Sequence, residues 1–461
     1  MHSARHEEYE SPFSARYTSP EMSRLFSAQY KISTFRRLWT ALAKAEQKLG
    51  LPITHKQVAQ LEENIDKIDF ALAATYEKRF RHDVMAHIHA YGDQCPDAKP
   101  IIHLGATSSY VTDNTDLIQM REALTLLFGK LIHILRLLAR LAENEAASPC
   151  LAYTHYQPAQ PTTIGKRACL WLQDLLLDAH EFERHINALP FLGAKGATGT
   201  QASFLALFDN DAHKVKELET LIATHFGFTK ILSIASQTYT RKLDLNILNA
   251  LESFASASHK MATDIRLLAH DGELTESPTD TQVGSSAMPY KRNPIYSERI
   301  CGLARFVISL AQNPAYTAAT QWLERSLDDS SNRRLAIPES FLGADSILNL
   351  LIHLLTHLTV DRAAALTHLE AQIPHLAMEN ILMQATKKGG DRQKIHEKLR
   401  KLSGKPIAEI AKELHLDPKE FHAHALIGRA PDQVRDFLKN EVEPFLSRHK
   451  NIAAPIASVE M

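Results

Sequence analysis

The stretch Asp113-Asn-Thr-Asp-Leu-Ile-Gln-Met-Arg-Glu-Ala-Leu-Thr-Leu-Leu-Phe-Gly-Lys-Leu-Ile-His-Ile-Leu-Arg-Leu-Leu-Ala-Arg-Leu-Ala-Glu-Asn-Glu-Ala-Ala147 decides the fold. Leu117, Met120, Leu124, Leu127, Leu131, Ile134, Leu138 and Leu141 recur in it at alternating spacings of three and four. That is the period of one apolar face on an α-helix. Asp113, Asn114 and Thr115 are helix-capping types, and Ser148-Pro149 stops the pattern. The spacing predicts a helix from Asp116 to Ala147, about 48 Å long at 1.5 Å per residue. Outward from it, a second series runs Ala168, Leu172, Leu175, Ala179, Phe182, Ile186 and Leu189, ending at Pro190. A third passes through Ile247, Leu251, Phe254, Met261, Ile265 and Leu268, and shorter ones follow at Ile300 to Leu310 and Leu348 to Leu358. Glycine is sparse at 17 residues, and alternating β-branched runs are scarce. The expected fold is all-α, with a long central helical bundle. Three blocks suggest themselves: a helical N-terminal domain over 1–106, with a helix near Thr34 to Leu49, the bundle over 107–360, and a C-terminal helical domain over 361–461. The basic run from Lys387 to Lys405 reads as solvated surface.

With 52 Lys+Arg against 53 Asp+Glu, the chain has no overall charge to draw it to nucleic acid or lipid. An anion site must come from local clustering. Cys95, Cys150, Cys169 and Cys301 form no Cys-x-x-Cys pair and no zinc-ligand spacing with histidine, so neither a metal site nor a disulfide framework is expected. Residues 1–20 are polar and charged, unlike a signal peptide, and no apolar run approaches a membrane span of about 18 residues. The expectation is a cytoplasmic protein that partners neither membrane nor nucleic acid.

Chemistry is expected where the apolar pattern breaks. Four polar islands do this. Gly105-Ala-Thr-Ser-Ser-Tyr-Val-Thr-Asp-Asn114 precedes the longest helix and reads either as an anion cradle at its positive end or as simple capping. In Thr154-His-Tyr-Gln-Pro-Ala-Gln-Pro-Thr-Thr163, two prolines deny a helix and place His155 in a rigid loop. Histidine suits proton transfer near neutrality, though the chain has 24 of them. Gly284-Ser-Ser-Ala-Met-Pro-Tyr-Lys-Arg-Asn-Pro294 follows a polar run, Glu273 to Val283, that predicts a mobile loop. It reads as a closing anion-binding segment or as an exposed basic loop. Glu324-Arg-Ser-Leu-Asp-Asp-Ser-Ser-Asn-Arg-Arg334 offers donors in Arg325, Ser330 and Arg334, or else a surface ion-pair network.

Together the islands resemble the signature regions of the fumarase/aspartase superfamily, in its order. Gly284 to Pro294 is similar to its specific G-S-S-x-M-P-x-K-x-N-P motif. Ser11 to Met22, Arg81-His-Asp-Val-Met-Ala-His87, Gln237-Thr-Tyr-Thr-Arg-Lys242 and Leu327 to Arg334 further resemble the adenylosuccinate lyase family of animals and some bacteria. The resemblance covers most of the chain and weakens after about Arg400. It implies a homotetramer joined through the bundles, so that much of the apolar stripe is intersubunit core and each active site is shared between subunits. It also implies cleavage of a C–N bond in two purine nucleotide substrates, adenylosuccinate and succinyl-aminoimidazole-carboxamide ribotide, releasing fumarate.

By the same resemblance Ser285 is the general base and His155 the general acid, while Lys291 and Asn293 stabilise the carbanion. Nothing else in the sequence would assign Ser285 that role. His82 is implied as a second histidine of the catalytic set, placed to bind phosphate or to support His155. Arg16, Tyr17, Arg325, Ser330 and Arg334 are implied at the nucleotide end, and Arg81, Asp83, Thr107, Ser108, Thr154, Gln237 and Arg299 at other substrate contacts. No cofactor or metal is implied. The Gly284 to Pro294 motif is shared with lyases acting on argininosuccinate, aspartate or malate; Arg81-His-Asp83 and Arg16-Tyr17 favour the nucleotide. A non-catalytic, crystallin-like protein is opposed by the joint presence of Ser285, His155, Lys291 and His82, and a helical nucleic-acid-binding module by the neutral charge balance.

Overall fold

The computed structural model describes residues 9–276, 288 and 291–453. Five helices make the central bundle: Ser108–Asn144, Ile164–Ala188, Lys242–His270, Ile295–Leu310 and Asp328–His357. Each packs on the next in that order, and the fifth returns to the first. The first starts at Ser108 instead of Asp116, because Asp113 and Asn114 are not caps. Both are buried inside the helix with partners elsewhere. The Asn114 amide donates to Tyr110 O (2.8 Å) and Gly193 O (3.0 Å) and accepts from the N–H of Leu192 (3.1 Å). A buried polar side chain so satisfied costs the helix little.

Leu117, Met120, Leu124, Leu127, Leu131, Ile134 and Leu138 are all 0% exposed within one subunit. This corrects the expectation that the stripe is largely intersubunit core. The neighbouring bundle helices and the last helices of the chain already cover it, at about 1.5–3 kcal/mol of stabilisation per buried side chain. Exposed apolar side chains lie elsewhere, among them Leu170, Leu177, Tyr316, Trp322, Leu323 and Leu327. Asp328–His357 is long and apolar enough to span a membrane by composition, yet Phe341, Ala344, Ile347 and Leu348 on it are fully buried, which marks a core helix.

The Thr154 to Thr163 island is a hairpin arm, not a loop. Strands Pro149–Thr154 and Gln157–Thr163 pair antiparallel around His155 and Tyr156, whose φ values of 53° and 58° make a left-handed two-residue turn. Pro158 and Pro161 bar a helix but only interrupt the ladder, and the register slips between Ala152 and Tyr153. The polar run from Glu273 also begins as structure. Strand Leu274–Glu276 pairs with Leu358–Val360 and is largely buried. The Glu276 carboxylate accepts the N–H groups of Tyr296 and Ser297 (2.9 Å each) and so caps Ile295–Leu310. Residues 277–287 lie outside the described residues.

The 361–461 block is divided. Helices from Arg362–Leu376 to Ile407–Glu413 share a small core of Leu369, Ile381 and Ile410 that rests on Leu151 of the hairpin. Ala430–Phe437 and Glu443–Arg448 return to the bundle, where Val434, Val442 and Phe445 join the main core. Arg136 fastens them with hydrogen bonds of 2.8 Å to His449 O and Ile452 O. At the other end, helix Ala28–Lys48 packs Phe35, Leu38, Trp39 and Leu42 into the same core.

That helix also buries Glu46 completely, with no hydrogen-bond partner on either carboxylate oxygen among the described residues. Burial pushes its pKa up to about 9. The folded chain therefore holds a proton that the unfolded chain releases above the ordinary carboxylate range. Stability from this group is complete below pH about 4.5 and is lost as pH rises toward 9, at about 1.4 kcal/mol per unit across the window. Glu46→Gln is expected to remove that slope, so its thermal midpoint should gain on the parent's steadily between pH 5 and 9. A midpoint difference independent of pH would show that Glu46 does not carry the buried proton.

Candidate active site

Helix Phe70–Phe80 ends at Arg81, whose φ of 52° is left-handed, a strained conformation for a side chain this large. The turn brings His82 to the N-cap of helix Asp83–Gln94, where its Nδ1 accepts the Met85 N–H at 3.4 Å. A neutral His82 so bonded carries its proton on Nε2. Nε2 faces Ser108 Oγ at 3.4 Å, in the first turn of the longest helix. Thr107, the cap of that helix, gives it no side-chain acceptor; its carbonyl takes the Tyr110 N–H (2.9 Å), which leaves the amides of Ser108 and Ser109 open to an anion.

Beneath this edge lies a layer of paired charges. Arg241 is 2% exposed and donates to Asp113 (2.9 Å) and Asp329 (2.7 Å). Arg333 donates to Asp244 (2.7 Å) and Asp116 (2.8 Å). The Tyr239 ring lies 4.6 Å from the Arg241 guanidinium and 5.2 Å from that of Arg333. On the far side, Asp328–His357 opens with Ser330 and Arg334, and the Arg334 side chain folds back to Ser330 Oγ (3.0 Å). Arg325 binds Asp329 (2.8 Å). This island is thus an ion-pair network and a row of cleft donors at once. Gln237 is held by a 3.0 Å bond from its amide nitrogen to Ala197 O.

These walls enclose a cleft of about 870 Å³, the size of a small-molecule site. Arg81, His82, Asp83, Ser108, Gln237, Arg325, Ser330 and Arg334 all line it. Sequence reasoning missed Asp113, Asp116, Arg241 and Arg333, which line it too. Their one signal is charge at helical spacing inside an apolar run, as in Asp113 and Asp116.

The other expected site residues among those described do not line the cleft. Thr154 and His155 are exposed at the hairpin tip. Lys291 is exposed ahead of helix Ile295–Leu310, Asn293 is half-buried beside it, and Arg299 lies within it. Arg16 and Tyr17 occupy the short helical turn Phe13–Tyr17, where Tyr17 O accepts a bond from Asn349 (3.2 Å). Thr107 contributes only the cap. Ser285 is outside the described residues. Trp39 donates to Nδ1 of His103 (2.9 Å), and burial, with His82 nearby, pushes the His103 pKa down to about 4. Among the described residues no cluster of His, Cys, Asp and Glu has the form of a metal site.

Residues 9–309 match a family described as lyase. The chain is 45% identical to the adenylosuccinate lyase of Schizosaccharomyces pombe, over 96% of this chain and 97% of that one. It is 43% identical to the adenylosuccinate lyase of Schistosoma mansoni, over 97% and 98%. Among solved structures, a 3-carboxy-cis,cis-muconate lactonizing enzyme from Pseudomonas putida superposes with a TM-score of 0.81 at 22% identity, covering 96% of this chain and all of that one. A fumarate lyase from a Mesorhizobium species gives 0.78 at 22%, over 94% and 100%. The two solved structures establish the helical-bundle fold. The near full-length identity to the yeast and fluke enzymes goes further: this chain belongs to the adenylosuccinate lyase family.

Proposed function

We propose that the chain releases fumarate from adenylosuccinate, leaving AMP, and from succinyl-aminoimidazole-carboxamide ribotide, leaving the carboxamide ribotide. One observation carries this reading. Four motifs far apart in sequence bring Arg81, His82, Ser108, Gln237, Arg325, Ser330 and Arg334 to a single cleft. Both substrates carry a phosphate and two carboxylates, so they need guanidinium, hydroxyl and amide donors in the same place.

In the proposed reaction a base takes a proton from the carbon next to the C–N bond, that bond breaks, and an acid protonates the departing nitrogen. Ser285 is assigned as base and His155 as acid. Lys291 and Asn293 face the charge that spreads into the neighbouring carboxylate. Arg325, Ser330 and Arg334, with Arg16 and Tyr17, take the phosphate. Arg81, Asp83, Thr107, Thr154 and Arg299 complete the substrate contacts, and His82 supports the acid.

The active unit is proposed as a homotetramer with shared sites. His155 sits on an exposed hairpin outside its own cleft, which supports delivery of the acid by a second copy. Trp322, Leu323 and Leu327 are 73%, 95% and 74% exposed beside Arg325, an apolar rim suited to another subunit.

Purified protein should release fumarate from adenylosuccinate and not from argininosuccinate, malate or aspartate. Turnover of one of those three instead would assign it to a different fumarate-releasing reaction. His155→Ala and Ser285→Ala should each lower kcat by about 10²–10⁴ while leaving the size of the assembly unchanged. Mixing the two inactive proteins should restore part of the activity, because some mixed sites would receive both intact residues. No recovery in tetramers demonstrated to be mixed would count against a shared site.

A further inference from the structure

We propose that Asp329 is a positioning residue that holds Arg325 with one edge open to an anion, and that Arg241 acts through it. Asp329 does not line the cleft, and its side chain is 0% exposed. Both of its oxygens accept from a single nitrogen, Arg325 Nη1, at 2.8 and 3.0 Å. Among the described residues Arg325 Nε and Nη2 have no acceptor, and the Arg325 side chain is 25% exposed at the cleft wall. Those two nitrogens form the side edge of the guanidinium, the fork that takes two oxygens of a phosphate or carboxylate at once.

The clamp is itself fixed. Arg241 Nε and Nη2 reach Asp329 Oδ2 at 2.7 and 2.6 Å, and Arg241 Nη1 reaches Asp113 Oδ2 at 2.9 Å. Asp113 is anchored in turn by the Tyr239 N–H at 3.1 Å. A line of alternating charges therefore runs from the longest helix to the cleft wall and ends in a guanidinium held at Nη1, with its Nε–Nη2 edge left for a ligand.

Charge alone predicts the opposite role. A carboxylate behind the site repels an anionic ligand, so removing its charge should tighten binding. Positioning predicts weaker binding, since a freed Arg325 must be ordered each time a ligand arrives. The two accounts differ in sign.

This inference rests on the nucleotide reading of the cleft, so the test includes AMP binding by calorimetry beside steady-state fumarate release. Asp329→Asn, Arg325→Gln and the double variant are compared with the parent, each checked by circular dichroism. Asp329→Asn should weaken AMP binding and raise KM about tenfold, with kcat changed far less, as expected for loss of one well-placed charged contact. The double variant should be no worse than Arg325→Gln alone, because Asp329 acts through Arg325. Unchanged or tighter AMP binding in Asp329→Asn, or losses that multiply in the double variant, would overturn the proposal. Arg241→Lys keeps the charge but cannot bridge both carboxylates. It should follow the same non-additive pattern and decides the matter if Asp329→Asn does not fold. A parent that binds AMP without turning over adenylosuccinate would refute the proposed reaction and leave this inference to the binding cycle. A parent that does neither would overturn both.

Discussion

A guanidinium taken out of water costs several kcal/mol unless its N–H groups find acceptors and its charge finds a counter-charge, and Arg241 meets that demand in one arrangement of the bundle. Its carboxylates come from two other helices, Asp113 from 108–144 and Asp329 from 328–357, while Arg241 itself stands at the head of 242–270. Burial acts to lower its pKa, yet Asp113 and the groups around it more than offset this and hold it above the ordinary value. Arg333 joins the same three helices through Asp244 and Asp116. A slip of one helical turn, about 5.4 Å, would still bring leucine against leucine in the stripes but would strand both arginines. The apolar stripes drive the helices together, and the charges set their register.

This division explains what could be read from the sequence. Periodicity reports which face of a helix is buried, so the bundle helices were legible from Leu117 to Leu138 and in the series after them. It does not report what else is buried. Asp113 and Asn114 look like caps because capping types are recognised by their short polar side chains, and those same atoms serve a buried tertiary contact equally well. The hairpin at Thr154 to Thr163 was hidden for a similar reason. Proline speaks clearly against a helix, but it is silent between a loop and a short irregular strand.

At the site, the cleft-lining residues were legible only as members of motifs. Nothing local distinguishes Arg325 on a cleft wall from Arg325 in a surface ion pair, and the structure puts it on the wall, paired with a buried carboxylate. Arg241 and Arg333 escaped notice because charged side chains are ordinarily assigned to solvent. Their burial depends on partners far away in sequence, 128 positions for Asp113 and Arg241 and 217 for Asp116 and Arg333. No window of sequence contains such a pair.

The start of the longest helix matters more to the cleft than its length. Because the helix begins at Ser108, the side chains of Ser108 and Ser109 lie in its first turn, where the backbone dipoles amount to about half a positive charge. Asp83–Gln94 and Asp328–His357 also begin at the cleft, presenting Asp83 and Val84 from one and Asp328, Ser330 and Ser331 from the other. Three helix N-termini thus converge where the arginines do. Part of the cleft's pull on an anion comes from the backbone, because the layer beneath supplies none: Arg241 and Arg333 are outnumbered by Asp113, Asp116, Asp244 and Asp329. With Arg241 and Arg333 already committed to those carboxylates, an incoming anion is left to the guanidinium groups at the rim, which can release it again. The strained backbone at Arg81 fits the same logic. Glycine would relieve the left-handed turn but would remove a rim guanidinium, so the fold carries the strain where the cleft needs the charge.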